Sequence, residues 1–304
     1  MKTITLTDEF KRRITGVWGE EGRAWLERLP ELMTTCQARW NLSVKAPLPT
    51  LSYNFVAPVA RADGSEAILK LGVPNNELTT EIEALRLYGG KNAVKLLEAD
   101  AALGMLLLQR VTPGSPLSTL ADDEEATMIA AQLMRDLPVP VSSDHPFLTV
   151  ERWGLAFTRL RERFGGKTGP LPLRLVDKAE QLLQDLLSSS PHQMLLHGDL
   201  HHENILSHGE NNWLVIDPKG VAGDPAYEAA RFQHNPIPGF LSMDDPQQVA
   251  QCRVEILAAV LKVDQARLLA WAFFDTVLGA CWSIEDNEDW RYFIACAEIL
   301  ETVN

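Results

Sequence analysis

The sequence predicts an α+β fold in two lobes, an antiparallel sheet carrying one helix and then a mainly helical lobe. Three observations predict it. Apolar, β-prone runs at 51–60 and 67–71 flank Asp63-Gly64, a hairpin turn signal. From residue 123 onward, apolar residues recur mostly at helical spacing. Between these regions Pro113, Gly114 and Pro116 cluster and mark the join.

Taken in order, residues 8–40 place Phe10, Ile14, Trp18, Trp25, Leu26, Leu29, Leu32, Met33 and Trp40 at spacings suited to helices. Gly16, Gly19 and Pro30 predict that this layer breaks into two or three pieces. After the hairpin, 77–88 reads as a helix with Leu78, Ile82, Leu85 and Tyr88 on one face and Gly89-Gly90 ending it. Short strands are expected at 93–98 and 105–111. The N-terminal lobe is therefore 1–112, with a helical extension over 1–46 and the sheet with its helix over 47–112. The C-terminal lobe is 113–304, with helices expected at 123–136, 150–164, 173–188, 225–233, 246–262 and 266–282. The stretch 193–217 interrupts them with short apolar runs.

The chain has 304 residues, enough for a large core, and a net charge of −13 from 28 basic and 41 acidic residues. Such an excess argues against nucleic acid as a partner, because phosphate contacts need clustered Lys and Arg. It suits a cationic small molecule better. Cys36, Cys252, Cys281 and Cys296 show no CxxC pairing, which fits a reduced compartment. The start Met1-Lys2-Thr3-Ile4-Thr5-Leu6 does not read as a signal peptide, and no apolar run reads as a membrane span. A cytoplasmic location and no membrane partner are expected.

The chemistry concentrates in His197-Gly198-Asp199-Leu200-His201-His202-Glu203-Asn204 and in Asp217, thirteen residues further on. Phosphoryl transfer asks a protein mainly for positioning and charge neutralisation. Asp199 would accept, or at least orient, the proton of an attacking hydroxyl. Asn204 and Asp217 offer a neutral and an anionic oxygen to Mg²⁺, a hard cation. The expected frame is a hairpin: 193–196 leads to Asp199, 208–212 turns, and 213–216 returns antiparallel to deliver Asp217.

HGDLHHENIL and IDPKGVAGDPAYE resemble the catalytic and metal-binding loops of the aminoglycoside phosphotransferase family, a branch of the protein-kinase-like fold. They are most similar to its streptomycin 6-kinase and hydroxyurea phosphotransferase subfamily. The resemblance extends through AILKLG and EIEALRLYGGKNAVKLLEADAALGMLLLQRVTPG and covers about 50–290. It implies a bilobal protein-kinase-like fold and an ATP-dependent O-phosphotransferase. Lys70 would bind the α- and β-phosphates and Glu81 would hold it, with Glu83 the neighbouring contender. Gln109-Arg110-Val111 would receive adenine through its backbone, with Asp199 the catalytic base and Asn204 and Asp217 the metal ligands. The loop 51–56 lacks G-x-G-x-x-G, so Ser52 and Asn54 would meet the phosphates with side chains. Gly198 and Asp217-Pro218-Lys219 depart from the protein kinases' Arg-Asp and Asp-Phe-Gly, which disfavours a phosphorylation-controlled activation loop.

Plainer readings compete at several positions. His192, His197, His201, His202, His208 and His234 invite a metal cluster, and His197 and His201 have the spacing of H-E-x-x-H. Gly198 between them and the missing glutamate argue against zinc; His197 is expected to anchor the loop. His202 is a candidate substrate contact or a plain loop histidine. Asp224 and Glu228 could brace the loop or, for Glu228, meet substrate. In 280–290 the acids read as a solvated turn, but the resemblance makes Glu285 and Asp286 candidates for a cationic acceptor, with Trp282 beside them. The expected acceptor is an aminoglycoside or hydroxyurea. The alternatives are a metabolite such as a sugar, an amino alcohol or a choline-like compound, or nucleotide binding without catalysis.

Overall fold

The apolar periodicity of the N-terminal third folds as a helix laid on a sheet in the structure, a computed structural model that describes residues 6–49, 51–190 and 193–303. His192 lies outside the described residues. The chain divides into two units, Met1–Val111 and Thr112–Asn304.

In the first unit, α1 (Asp8–Trp40) is capped by Thr7, whose hydroxyl accepts from the Phe10 N–H. It kinks into two pieces at Gly19, as the sequence predicted, whereas Gly16 and Pro30 do not break it, contrary to the sequence expectation. Pro30 lies on the exposed face, while Trp25, Leu29, Leu32, Met33 and Cys36 are buried on the other. That buried stripe outweighs the single N–H that proline removes. Next come β1 (Leu42–Val44), β2 (Phe55–Arg61), β3 (Glu66–Leu71), α2 (Asn76–Tyr88), β4 (Leu96–Asp100) and β5 (Met105–Gln109). The strands form one antiparallel sheet in the order β1-β2-β3-β5-β4. Phe55, Ala57 and Val59 share a core with Leu69, Leu71 and the buried face of α1. β2 begins at Phe55 rather than at 51, because 52–54 bend away. That bend rests on α1: Arg13 donates to the Leu51 carbonyl at 3.3 Å, and Trp18 meets Tyr53 edge-on at 6.0 Å. Asn75 caps α2, and Gly89 ends it in the left-handed region.

The second unit contains β6 (Pro113–Pro116), α3 (Asp123–Asp136), β7 (Val139–Pro140), β8 (Leu148–Thr149), α4 (Val150–Arg163) and α5 (Leu173–Ser188). It continues with β9 (Met194–Leu196), β10 (Ile205–His208), β11 (Asn212–Val215), β12 (Val221–Gly223), α6 (Pro246–Leu261), α7 (Gln265–Glu285) and α8 (Arg291–Leu300). Two small sheets run β11-β10-β6 and β7-β9-β12-β8. The expected pairing of 193–196 with 213–216 is corrected here: β11 pairs with β10, and β9 pairs with β12. A three-residue turn at 209–211 closes the β10–β11 hairpin at far lower loop entropy than the longer excursion from β9 would need.

The single helix expected at 225–233 is two short 3₁₀ turns, Pro225–Ala229 and Arg231–His234. Pro236 stops further winding, since the residue before a proline is driven out of the helical region. α8 was not expected; its buried Ile294, Ala297 and Leu300 lie at helical spacing. α7 is long and apolar enough to cross a membrane, but 78% of its apolar window is buried inside the protein. It is the core helix of this unit.

Candidate active site

β9 carries Leu195 and Leu196 through the interior, His197 follows it buried, and the chain then turns at Gly198 with φ +77°. A Cβ at that position would lie 2.6 Å from Val221 and 2.9 Å from Trp153, so only glycine fits. The turn brings Asp199 out, about one-fifth exposed. The His197 ring braces it. Its Nε2 lies 2.7 Å from the Ile216 carbonyl and so carries the proton, which leaves Nδ1 to accept from the Asp199 N–H at 3.2 Å. Burial pushes the pKa of this ring down to about 4, keeping it neutral. The Lys219 N–H donates to the His197 carbonyl at 2.8 Å. One histidine thus ties the segment of Asp199 to the segment of Asp217.

Below the turn, Glu228 accepts from the N–H groups of His197 at 2.6 Å and Gly198 at 3.1 Å. It is 2% exposed, and burial raises its pKa to about 7 although both N–H groups favour the anion. Asp224 accepts from Arg267 and from the Trp271 indole. Both acids point inward, so the substrate role considered for Glu228 is corrected to bracing of the loop.

After Asp199 a short 3₁₀ turn, His202–Asn204, leads into β10. The Asn204 amide donates to the Asp199 carbonyl at 2.9 Å, which leaves its oxygen as the end open to a cation. The Ile216 N–H donates to the Asn204 carbonyl at 2.9 Å, so Asn204 and Asp217 flank the same end of the hairpin. Asp217 adopts φ +57°, a left-handed conformation that aspartate tolerates better than most residues. An amide oxygen beside a carboxylate suits Mg²⁺. Among the described residues no three His, Cys, Asp or Glu side chains converge to hold a metal. His201 instead caps the 3₁₀ turn, accepting from the Glu203 N–H.

Arg231 escaped the sequence reading. Its Nη1 lies 3.3 Å from Asp199 Oδ1 and its Nη2 3.2 Å from Asp275 Oδ1. Asp275 is 1% exposed and also accepts from the Tyr227 hydroxyl. The guanidinium lies over the Trp282 ring at 5.4 Å. Burial would raise the pKa of Asp199, yet Arg231, His201 and Lys219 together hold it below the usual carboxylate range. The available signal was Asp275, an acid inside the apolar run 271–281, where a buried charge demands a partner.

Of the other expected contacts, His202 is buried and stacks on Phe232 at 4.0 Å. Glu285 accepts from Arg159 at 2.8 and 3.2 Å, so its carboxylate is engaged by a cation of the protein's own. Asp286 is exposed at the end of α7, and Trp282 packs edge-on against Trp153 at 5.6 Å. In the first unit, Lys70 Nζ donates to both Glu81 oxygens at 2.7 and 2.8 Å, with both residues buried. Glu83 pairs with Arg86 on the surface instead. Asn54 packs against Gly72, whose missing side chain leaves it room, and the Gln109 carboxamide accepts from the Lys95 N–H at 3.2 Å. Val111 closes the unit and is buried.

A strand lysine joined to a glutamate of the following helix beside an antiparallel sheet, and Asp, Asn and Asp just before and just after a hairpin, belong to a protein-kinase-like fold. The chain is similar over 88% of its length, and 96% of the other's, to an aminoglycoside phosphotransferase crystallised with ADP and hygromycin B, with a TM-score of 0.62 and 13% identity. The particular group follows from sequence: the chain belongs to the aminoglycoside/hydroxyurea antibiotic resistance kinase family, whose model matches residues 39–287. It is 29% identical to streptomycin 6-kinase of Streptomyces glaucescens over 94% of this chain and 93% of that one. It is 34% identical to hydroxyurea phosphotransferase of Kitasatospora aureofaciens over 89% and 77%.

Proposed function

We propose that the protein is an ATP- and Mg²⁺-dependent O-phosphotransferase acting in the cytoplasm on a hydroxyl of a polar small molecule of the streptomycin or hydroxyurea kind. The observation that carries this is the assembly of Asp199, Asn204 and Asp217 around His197. In this reading the first unit takes the nucleotide. Lys70, held by Glu81, meets the α- and β-phosphates, Asn54 lies by the phosphates, and the backbone of Gln109 and Val111 receives adenine. Asn204 and Asp217 would hold Mg²⁺, which supplies charge neutralisation on the phosphates when bound.

Asp199 orients the acceptor hydroxyl. The hydroxyl oxygen attacks the γ-phosphorus, the bond from that phosphorus to the β–γ bridging oxygen breaks, ADP leaves, and Asp199 takes the hydroxyl proton. Because Asp199 is held below the usual carboxylate range, its part before the transition state is orientation, and it accepts the proton late. The test is ADP release with ATP and Mg²⁺ over streptomycin, hydroxyurea, neutral sugars and amino alcohols. Release is expected with streptomycin or hydroxyurea, falling at least about 1,000-fold in Asp199→Ala while ATP still binds. Full turnover in that variant would overturn the mechanism.

A further inference from the structure

The guanidinium of Arg231 lies against the same carboxylate that the acceptor hydroxyl must reach, and it is fixed from behind. Asp275 holds it at 3.2 Å, is itself buried, and is anchored by Tyr227. Trp282 covers one face. The cation is permanent: burial works against its charge, but Asp275 and Asp199 outweigh burial and strengthen its hold on the proton. Its 3.3 Å separation from Asp199 is longer than the roughly 2.7–2.9 Å of a full charge-assisted hydrogen bond, so Nη1 retains donor capacity. Nε of Arg231 and Oδ2 of Asp275 are buried without a hydrogen-bond partner. Of the acids considered for a cationic acceptor, Glu228 is engaged by backbone N–H groups and Glu285 by Arg159, while Asp286 is exposed at the end of α7.

We infer that Arg231 is a charge filter for the acceptor. It admits a hydroxyl flanked by a carbonyl or anionic oxygen, as in N-hydroxy amides and 2-hydroxy acids, and disfavours a hydroxyl flanked by an ammonium or guanidinium. The flanking oxygen accepts from Arg231 while the hydroxyl meets Asp199, a two-point grip on adjacent atoms. A cation in the same place finds no acceptor on Arg231, whose guanidinium carries donors only, and adds a like charge beside one that cannot move away. This rests on the phosphotransferase reading and narrows its acceptor.

The test compares kcat/KM for acetohydroxamic acid, hydroxyurea and streptomycin in the wild type, Arg231→Gln and Arg231→Lys. The wild type is expected to prefer the N-hydroxy carbonyls by at least about tenfold. Arg231→Gln should lower their kcat/KM by about 30–100-fold, at least about tenfold more than it lowers that of streptomycin, and leave the KM for ATP unchanged. Arg231→Lys keeps the charge and should keep the order of preference, which separates the filter from a purely structural role. A wild-type preference for streptomycin, or equal losses on both classes, would overturn the inference. Should Arg231→Gln fail to fold, the wild-type ratio and the lysine variant decide.

If no acceptor is turned over, the phosphotransferase reading fails, and the filter is judged by calorimetric binding in the presence of Mg²⁺ and a non-hydrolysable ATP analogue. Binding of acetohydroxamic acid that Arg231→Gln abolishes upholds the filter. Preferential binding of streptomycin, or binding of neither, overturns it.

Discussion

At Gly198 the chain turns with a positive φ while Val221 and Trp153 close over the position a side chain would take. Gly198→Ala therefore meets two penalties. The left-handed backbone costs about 1–2 kcal/mol, and displacing Val221 or the Trp153 ring costs about 1–3 kcal/mol more. Thermal denaturation should show a loss of several degrees, and kcat should fall because Asp199 is displaced with its neighbour; an unchanged melting temperature would refute the packing argument. Lys70 and Glu81 give a second expectation at this scale. Removing one partner of a buried pair costs about 3–5 kcal/mol, so Glu81→Ala should destabilise the first unit and raise the KM for ATP more than it lowers kcat. Both positions were visible in the sequence, as H-G-D and as a lysine and glutamate eleven residues apart. Arg231 was not, because nothing in its local context distinguishes a buried ion-pair partner from an ordinary surface arginine.

The loop from His197 to Asn204 and the β10–β11 hairpin hold one another through backbone contacts, and Glu228 locks the loop from beneath with two accepted N–H bonds. Glu228→Gln presents an NH₂ group to one of those N–H donors. The mismatch costs about 1–3 kcal/mol, and it should appear as a lower melting temperature and reduced kcat with little change in acceptor KM. A large rise in acceptor KM alone would instead restore Glu228 as a substrate contact. At this scale the sequence misled in one respect. It showed two apolar runs ending at two acids, and pairing them was reasonable, but the run at Ile205–His208 was a third strand with the shorter route to β11. Strand partners are chosen by loop closure and by faces buried elsewhere, which single runs do not display.

Across the whole molecule, buried histidines set the response to acid. Burial lowers the pKa of His197 to about 4, His202 to about 2 and His234 to about 4, against 6.5 when exposed. Below 6.5 the unfolded chain binds protons that the folded chain excludes, so their stabilisation is present above 6.5 and lost as pH falls toward 4. Glu228 acts the other way: its folded pKa of about 7 exceeds its ordinary 4.5, so its contribution is lost as pH rises through 7. At pH 5.5 the three histidines outweigh the one carboxyl by roughly two protons, a slope of about 2.5 kcal/mol per pH unit. Urea unfolding between pH 7 and 5 should therefore show stability falling steeply with acid, and a flat profile would contradict the buried neutral rings.

The sequence by itself determined the α+β class, the hairpin at Asp63-Gly64, most of the helices, and the short segments that carry Asp199, Asn204 and Asp217. Each of these is written in local periodicity, in turn chemistry or in the spacing of residues within one short segment. Only the tertiary structure decided that Pro30 leaves α1 intact, that β9 and β11 lie in different sheets, that Glu228 and Glu285 are engaged from within, and that Arg231 reaches Asp199. Those outcomes depend on which surfaces bury one another across long stretches of chain, and burial is a property of the assembled core that no window of sequence contains.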